Sequence, residues 1–329
     1  MNEYHSNDSI QNKNKLDAAA ILQLLATAQS EVFPSDVING LSDLDSADAK
    51  QLHSGWDDIQ VEKRRALLRQ LVEHFQENFQ LDYLALATIA LDDQDSVVRT
   101  LAISLVSESR DPNPDIMSQL IKMATHDPYV TVRAEAVKAL GNYVLMGELG
   151  DITAQQSSDV IDTVIDILTN FDEEIEVRRY ALEAISNSSH QIVRSAIEDA
   201  YFSDNRAMKI SSICAMGHTC DEFWERIILD EMNNEDMEIC IEAVRAAGEI
   251  GLRRAIPLLI DWTQSDHPRI KQTAIWSLGE IGGNHALDTL SALADIAEAG
   301  RDDLLLDIIE DAIANASLSE ISLTDDEYN

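Results

Sequence analysis

One pattern of ten residues recurs along this chain, and it restricts the fold more than any other feature. Val132-Arg-Ala-Glu-Ala-Val-Lys-Ala-Leu-Gly141 has the same shape as Ile270-Lys-Gln-Thr-Ala-Ile-Trp-Ser-Leu-Gly279. Met208-Lys-Ile-Ser-Ser-Ile-Cys-Ala-Met-Gly217 and Ile239-Cys-Ile-Glu-Ala-Val-Arg-Ala-Ala-Gly248 share it. Val177-Arg-Arg-Tyr-Ala-Leu-Glu-Ala-Ile-Ser186 has Ser in place of Gly, and Val98-Arg-Thr-Leu-Ala begins in the same way. Taking the second residue as a marker gives Arg99, Arg133, Arg178, Lys209, Cys240 and Lys271, spaced by 34, 45, 31, 31 and 31. Two degenerate copies extend the series. Arg64 lies 35 residues before Arg99, with Leu67, Leu68 and Leu71 in the apolar slots. Asp302 lies 31 after Lys271, with Leu305, Leu306 and Ile309. About eight units then cover residues 57–316, and such a period marks a stack of supersecondary units.

Each unit reads as two helices. Relative to the marker, apolar residues fall at −1, +3, +4 and +7, which is one face of a helix of period 3.6. Position +3 is usually small (Ala102, Ala136, Ala181, Ser212, Ala243 and Ala274), so neighbouring helices can approach closely there. An Asp precedes each marker: Asp95, Asp127, Asp172, Asp204, Asp236 and Asp266. A carboxylate in such a turn can accept from a free backbone N–H and cap the second helix. Pro128 and Pro268 stand where a first helical turn tolerates proline. Gly141, Gly217, Gly248 and Gly279 fall near the expected second-helix ends, where glycine can take a left-handed C-cap. First helices are expected to include Ile116–Ala124, Val160–Leu168, Phe223–Met232, Ile256–Trp262 and Leu287–Ala297.

The Asp turn, the Val-Arg-x-x-Ala start and the endings Ala247-Gly-Glu-Ile-Gly251 and Leu278-Gly-Glu-Ile-Gly282 resemble HEAT repeats. They are most similar to the short HEAT-like repeats of the phycobilisome-lyase type. The resemblance covers about four fifths of the chain and implies an all-α fold, a right-handed α-α superhelix of about eight helical hairpins. The chain departs from the pattern at Cys240 and Asp302, where a basic marker is expected, so those two turns are expected to be held differently.

The rest of the chain divides around the repeats. Residues 1–14 read as disordered, and 15–56 as a helical cap over the first repeat's open apolar face. Residues 317–329 read as an acidic tail. The 45-residue spacing places an excess near 143–158, read as a lengthened helix, a partner-binding loop or drift in the repeat.

Charge excludes several functions. Sixty acidic residues against 24 basic ones give a net charge of −36, which repels nucleic-acid phosphates and anionic membranes. Cys214, Cys220 and Cys240 are too few and too oddly numbered for a disulfide framework. No leader pattern or apolar span is visible, so a cytoplasmic protein is expected.

No catalytic, cofactor or metal motif emerges. Cys214, His218 and Cys220 lack the spacing of a zinc set, and a Cys–His nucleophile would lack a recognisable oxyanion hole. Gly279-Glu-Ile-Gly-Gly283 follows no strand and lacks Gly-Lys-Ser/Thr, so it reads as a turn between repeats. Asp92-Asp-Gln-Asp95 lacks the glycine and glutamate of a calcium loop. The candidate binding site is instead the row of +2, +5 and +9 residues on the second helices: Tyr180, Glu183, Glu242, Glu249, Trp276 and Glu280. Aromatics there can anchor a partner and the carboxylates can pair with its Lys or Arg. The expected function is a non-enzymatic interaction scaffold or adaptor for a basic protein or peptide. Bilin lyase-like chemistry, implied by the resemblance, and acidic mimicry of nucleic acid are the alternatives.

Overall fold

The computed structural model describes residues 16–28, 30–77, 81–109 and 111–325, so the segment expected to be disordered lies outside the described residues. All regular structure among the described residues is helical, as the repeat predicts. The chain divides into two compact units, Met1–Ile167 and Leu168–Asn329. No described helix is long and apolar enough to cross a membrane.

The first unit opens with α1 (Ala18–Thr27), α2 (Ser35–Gly40) and α3 (Ser46–Gly55). It continues with α4 (Val61–Glu77), α5 (Leu84–Ala90), α6 (Ser96–Ser109), α7 (Pro114–His126), α8 (Val130–Leu149) and α9 (Ala154–Thr169), which contains the division. Helix α1 packs on α3, and α4, α6 and α8 pack one against the next. The side chains at the start of α4 explain how the opening helices are anchored. Trp56 Nε1 donates to Asp93 Oδ2 at 2.7 Å, and Arg64 Nε lies 3.0 Å from the same carboxylate, both in the core.

The second unit contains α10 (Ile175–Ile185), α11 (Ile192–Tyr201), α12 (Arg206–His218), α13 (Glu225–Glu231) and α14 (Met237–Ile250). It ends with α15 (Ile256–Thr263), α16 (Pro268–Ile281), α17 (Asn284–Gly300) and α18 (Asp303–Asp325). The second helices of successive repeats, α10, α12, α14, α16 and α18, pack in that order. The small +3 residues belong to the core: Ala102, Ala136, Ala181, Ser212, Ala243 and Ala274 are all 0% exposed.

Several marker residues share a task. The last carbonyls of a helix lack intrahelical partners. Arg133 Nη1 donates to the Asp127 carbonyl at 2.8 Å, and Arg178 Nε to that of Leu168 at 3.1 Å. Arg99 Nη1 donates to Asp93 at 2.8 Å while its Nε and Nη2 grip Asp127 of the next repeat at 2.8 and 2.9 Å. Cys240 does the same work with a thiol, its Sγ donating to the Met232 carbonyl at 3.0 Å. Trp262 Nε1 reaches that carbonyl too, at 3.1 Å. Asp302 is no marker at all. It lies just ahead of α18 and its Oδ1 accepts from Leu305 N at 3.2 Å.

Several local expectations need correction. Gly141, Gly217, Gly248 and Gly279 are not left-handed caps but lie inside helices. At the last three, absence of a side chain lets the next helix approach, since a Cβ on Gly248 or Gly279 would sit 2.8 or 2.9 Å from the Cα of Ser277 or Ala312. Left-handed caps are instead taken by Gly150, Gly251 and Arg301, with φ of 79°, 74° and 55°. Asp95 and Asp236 cap α6 and α14 as expected, but Asn205 caps α12 in place of Asp204, and α10 and α16 have no side-chain cap. The excess near 143–158 is helical. Helix α8 runs 20 residues to Leu149 and α9 runs 16. Helix α18 continues to Asp325, past the expected boundary at 316, as no Gly or Pro interrupts it.

Candidate functional site

The +2, +5 and +9 slots of the second unit fall on one face of α10, α12, α14 and α16, and side-chain contacts join those of α10, α12 and α14. Glu183 of α10 accepts a short hydrogen bond from Ser211 Oγ of α12. His218 of α12 lies across the same gap, with Nδ1 3.1 Å from Ser186 Oγ and 3.3 Å from the Glu183 carbonyl. Its Nε2 is 3.7 Å from Cys214 Sγ. On α14, Arg245 Nη2 lies 2.7 Å from Glu242 Oε2, and its Nη1 makes a short ion pair with Glu249 Oε1. The Glu249 carboxylate fits beneath α12 because Gly217 has no side chain, and a Cβ there would collide with Oε2. Glu249 Oε2 is buried and has no hydrogen-bond partner among the described residues.

This cluster is electrostatically unusual for a solvated helix face. Burial pushes the Glu183 carboxyl above its ordinary range, opposed by the Ser211 hydroxyl and then by Arg179 and His218. Arg179 Nη1 stands 3.6 Å from Glu183 Oε1. Glu249 is likewise pushed up by burial, against the pull of Arg245. Three carboxyl groups, Glu183, Glu242 and Glu249, thus share two guanidinium groups, Arg179 and Arg245. Cys214 is pushed far up, first by burial and then by Glu183, the opposite of what a nucleophilic thiolate requires. Among the described residues no group of His, Cys, Asp and Glu could hold a metal ion.

The structure thus brings Glu183, Glu242 and Glu249 into one cluster with Ser211, Cys214, His218 and Arg245, which fill the same +2, +5 and +9 slots. The remaining candidates occupy the same slots on α10 and α16. Tyr180 is half-buried, with Arg179 Cζ 3.8 Å from its ring centroid. Trp276 is half-buried, and Glu280 is exposed, its Oε1 accepting from Asn315 Nδ2 at 3.3 Å. In the first unit the corresponding face carries a depression of about 380 Å³ lined by Phe75, Ser104, Glu108, Glu135, Lys138 and Asn142. Its +5 and +9 residues could have been read from the same register.

Residues 226–313 match the family model described as HEAT repeats. The matched segment, within the second unit, carries HEAT repeats. No curated protein matches the chain. Among solved structures, that of YibA from E. coli is 18% identical, with 88% of this chain and 99% of that chain covered at a TM-score of 0.43. An engineered protein is 14% identical, with 92% of each chain covered at a TM-score of 0.38. Kap95p, in a structure that concerns its binding to RanGDP, is 14% identical over 90% of this chain and 44% of its own, at a TM-score of 0.42.

Proposed function

We propose that this chain is a non-enzymatic scaffold or adaptor of the cytoplasm that takes a basic protein or peptide on the second-helix face of its second unit. The contact residues in this reading are Tyr180, Glu183, Glu242, Glu249, Trp276 and Glu280. In the same reading, residues 15–56 cap a repeat array over 57–316. The observation that carries it is the joined polar face: Glu183, Glu242 and Glu249 lie half-buried with fewer cations than carboxylates, between half-buried Tyr180 and Trp276. A net charge of −36 adds long-range attraction for a cationic partner. A partner's Lys or Arg can neutralise the surplus charge at the cluster, and the aromatic rings offer area that is ordered at little entropic cost. Glu280 extends the negative face into solvent.

The test is a titration with a labelled Lys/Arg-rich peptide containing one Trp, beside the same peptide with Glu replacing every cation. The basic peptide is expected to bind, and to weaken steeply between about 50 and 300 mM salt as screening shortens the reach of the field. Equal binding of both peptides, or binding indifferent to salt, contradicts the reading.

A further inference from the structure

A second surface of the same unit has a different chemistry. Where the turn between α9 and α10 meets α11 and the start of α12, the molecule carries a groove of about 590 Å³. Its floor and walls include Leu168, Phe171, Ile175, Ile192, Ala196 and Met208. Phe171 is 83% exposed and Ile175 37% exposed, although both are large and apolar. Solvent-exposed apolar side chains gathered around a concavity of this size mark a binding surface more often than scattered ones do. The groove exists because α11 is only ten residues long and begins at Ile192, leaving the end of α9 and the Phe171 turn uncovered.

The rim identifies the kind of occupant. Asp199 and Asp204 line the groove, are exposed, and have no cation within pairing distance among the described residues. Asp172 and Glu174, also exposed, flank Phe171 in the turn. The cation in the lining, Arg178, is already engaged. Its Cζ lies 4.4 Å from the Phe171 ring centroid and its Nε donates to the Leu168 carbonyl. An acidic or neutral peptide laid over this groove would strip water from rim carboxylates without replacing it. A peptide with an apolar anchor in the groove and Lys or Arg beside it would pair them.

We infer that this groove is a docking site for an amphipathic peptide segment, one large apolar anchor flanked by Lys or Arg, on a partner protein. It is independent of the second-helix face, because none of its lining residues belongs to that cluster.

The probe is a labelled peptide of about twelve residues that interleaves Leu and Phe with Lys, with two controls, Ser at every apolar position and Glu at every Lys. The parent peptide is expected to bind saturably and both controls to bind at least about tenfold more weakly. Phe171→Ala, which removes an exposed wall, and Ala196→Trp, which fills the groove, are each expected to weaken the parent peptide at least about tenfold. Asp199→Lys combined with Asp204→Lys should weaken it and flatten its salt dependence. Trp276→Ala should leave it unchanged. Circular dichroism melting confirms folding, and if Ala196→Trp does not fold, Phe171→Ala carries the test. The inference is overturned if no saturable binding occurs. It is also overturned if Phe171→Ala binds normally, or if Trp276→Ala abolishes binding while the groove variants keep it, which would place this peptide on the second-helix face instead.

Discussion

Gly248 of α14 lies so close to Ser277 of α16 that a Cβ on the glycine would stand 2.8 Å from the serine's Cα, Cβ and Oγ. Ser277 Oγ donates to the Val244 carbonyl at 2.8 Å in the same seam, so the two helices are joined by both fit and hydrogen bond. Backbone atoms cannot yield as a flexible side chain would. Gly248→Ala should therefore cost about 1–3 kcal/mol in denaturant unfolding. An unchanged midpoint would mean that α14 and α16 are farther apart than described.

Ala243 is fully buried one turn earlier in α14. Ala243→Glu would place an unpaired carboxylate in the core, at a cost of several kcal/mol. Thermal melting checks this, and a variant that melts with the parent would contradict the repeat register.

Two carboxylates should respond to pH in opposite senses. The Arg65 guanidinium holds the Asp95 carboxyl down at about 2, against an ordinary value of 3.8. Its contribution is complete above the unfolded value and is lost as pH falls through the folded one. Asp95→Asn should therefore be less stable than the parent at pH 7, with the gap closing towards pH 2. Glu183 is shifted the other way by burial. Its stabilising contribution is complete below the ordinary value of 4.5 and is lost as pH rises through the higher folded value. Glu183→Gln keeps an acceptor for Ser211, so its melting temperature relative to the parent should rise between pH 4.5 and pH 8. A constant difference over that range would contradict the burial of the charge.

Thiol chemistry reports the same interior. Cys220 is exposed and Cys240 is buried, while the Cys214 thiol is pushed far up by burial. Iodoacetamide at pH 8 should modify Cys220 first, and Cys214 and Cys240 only as the protein unfolds. Early modification of Cys214, located by mass spectrometry, would contradict the packing around His218.

The repeat was legible because burial imposes a local rule: position +3 is small in six repeats, and all six residues are fully buried. The glycines were harder to read. A glycine near a helix end serves either a left-handed cap or a close approach, and sequence does not show the neighbouring helix. Gly248 and Gly251 stand three residues apart and do one job each. At the candidate site, the pairing of Arg245 with Glu242 and Glu249 is written in the chain as i,i+3 and i,i+4 spacing. The contact of Glu183 with Ser211 spans 28 residues and emerges only when helices are stacked. The groove at Phe171 has no marker in the sequence, because it arises from the shortness of α11 rather than from a motif.

The most direct test of the proposed function is Trp276→Ala in the titration with the Trp-containing basic peptide. Trp276 is half-buried on the second-helix face and outside the buried core, so the variant should melt close to the parent. The account predicts a loss of about 2 kcal/mol or more in binding, about thirtyfold in affinity. A folded Trp276→Ala protein that binds this peptide as tightly as the parent would contradict the assignment of the site to that face.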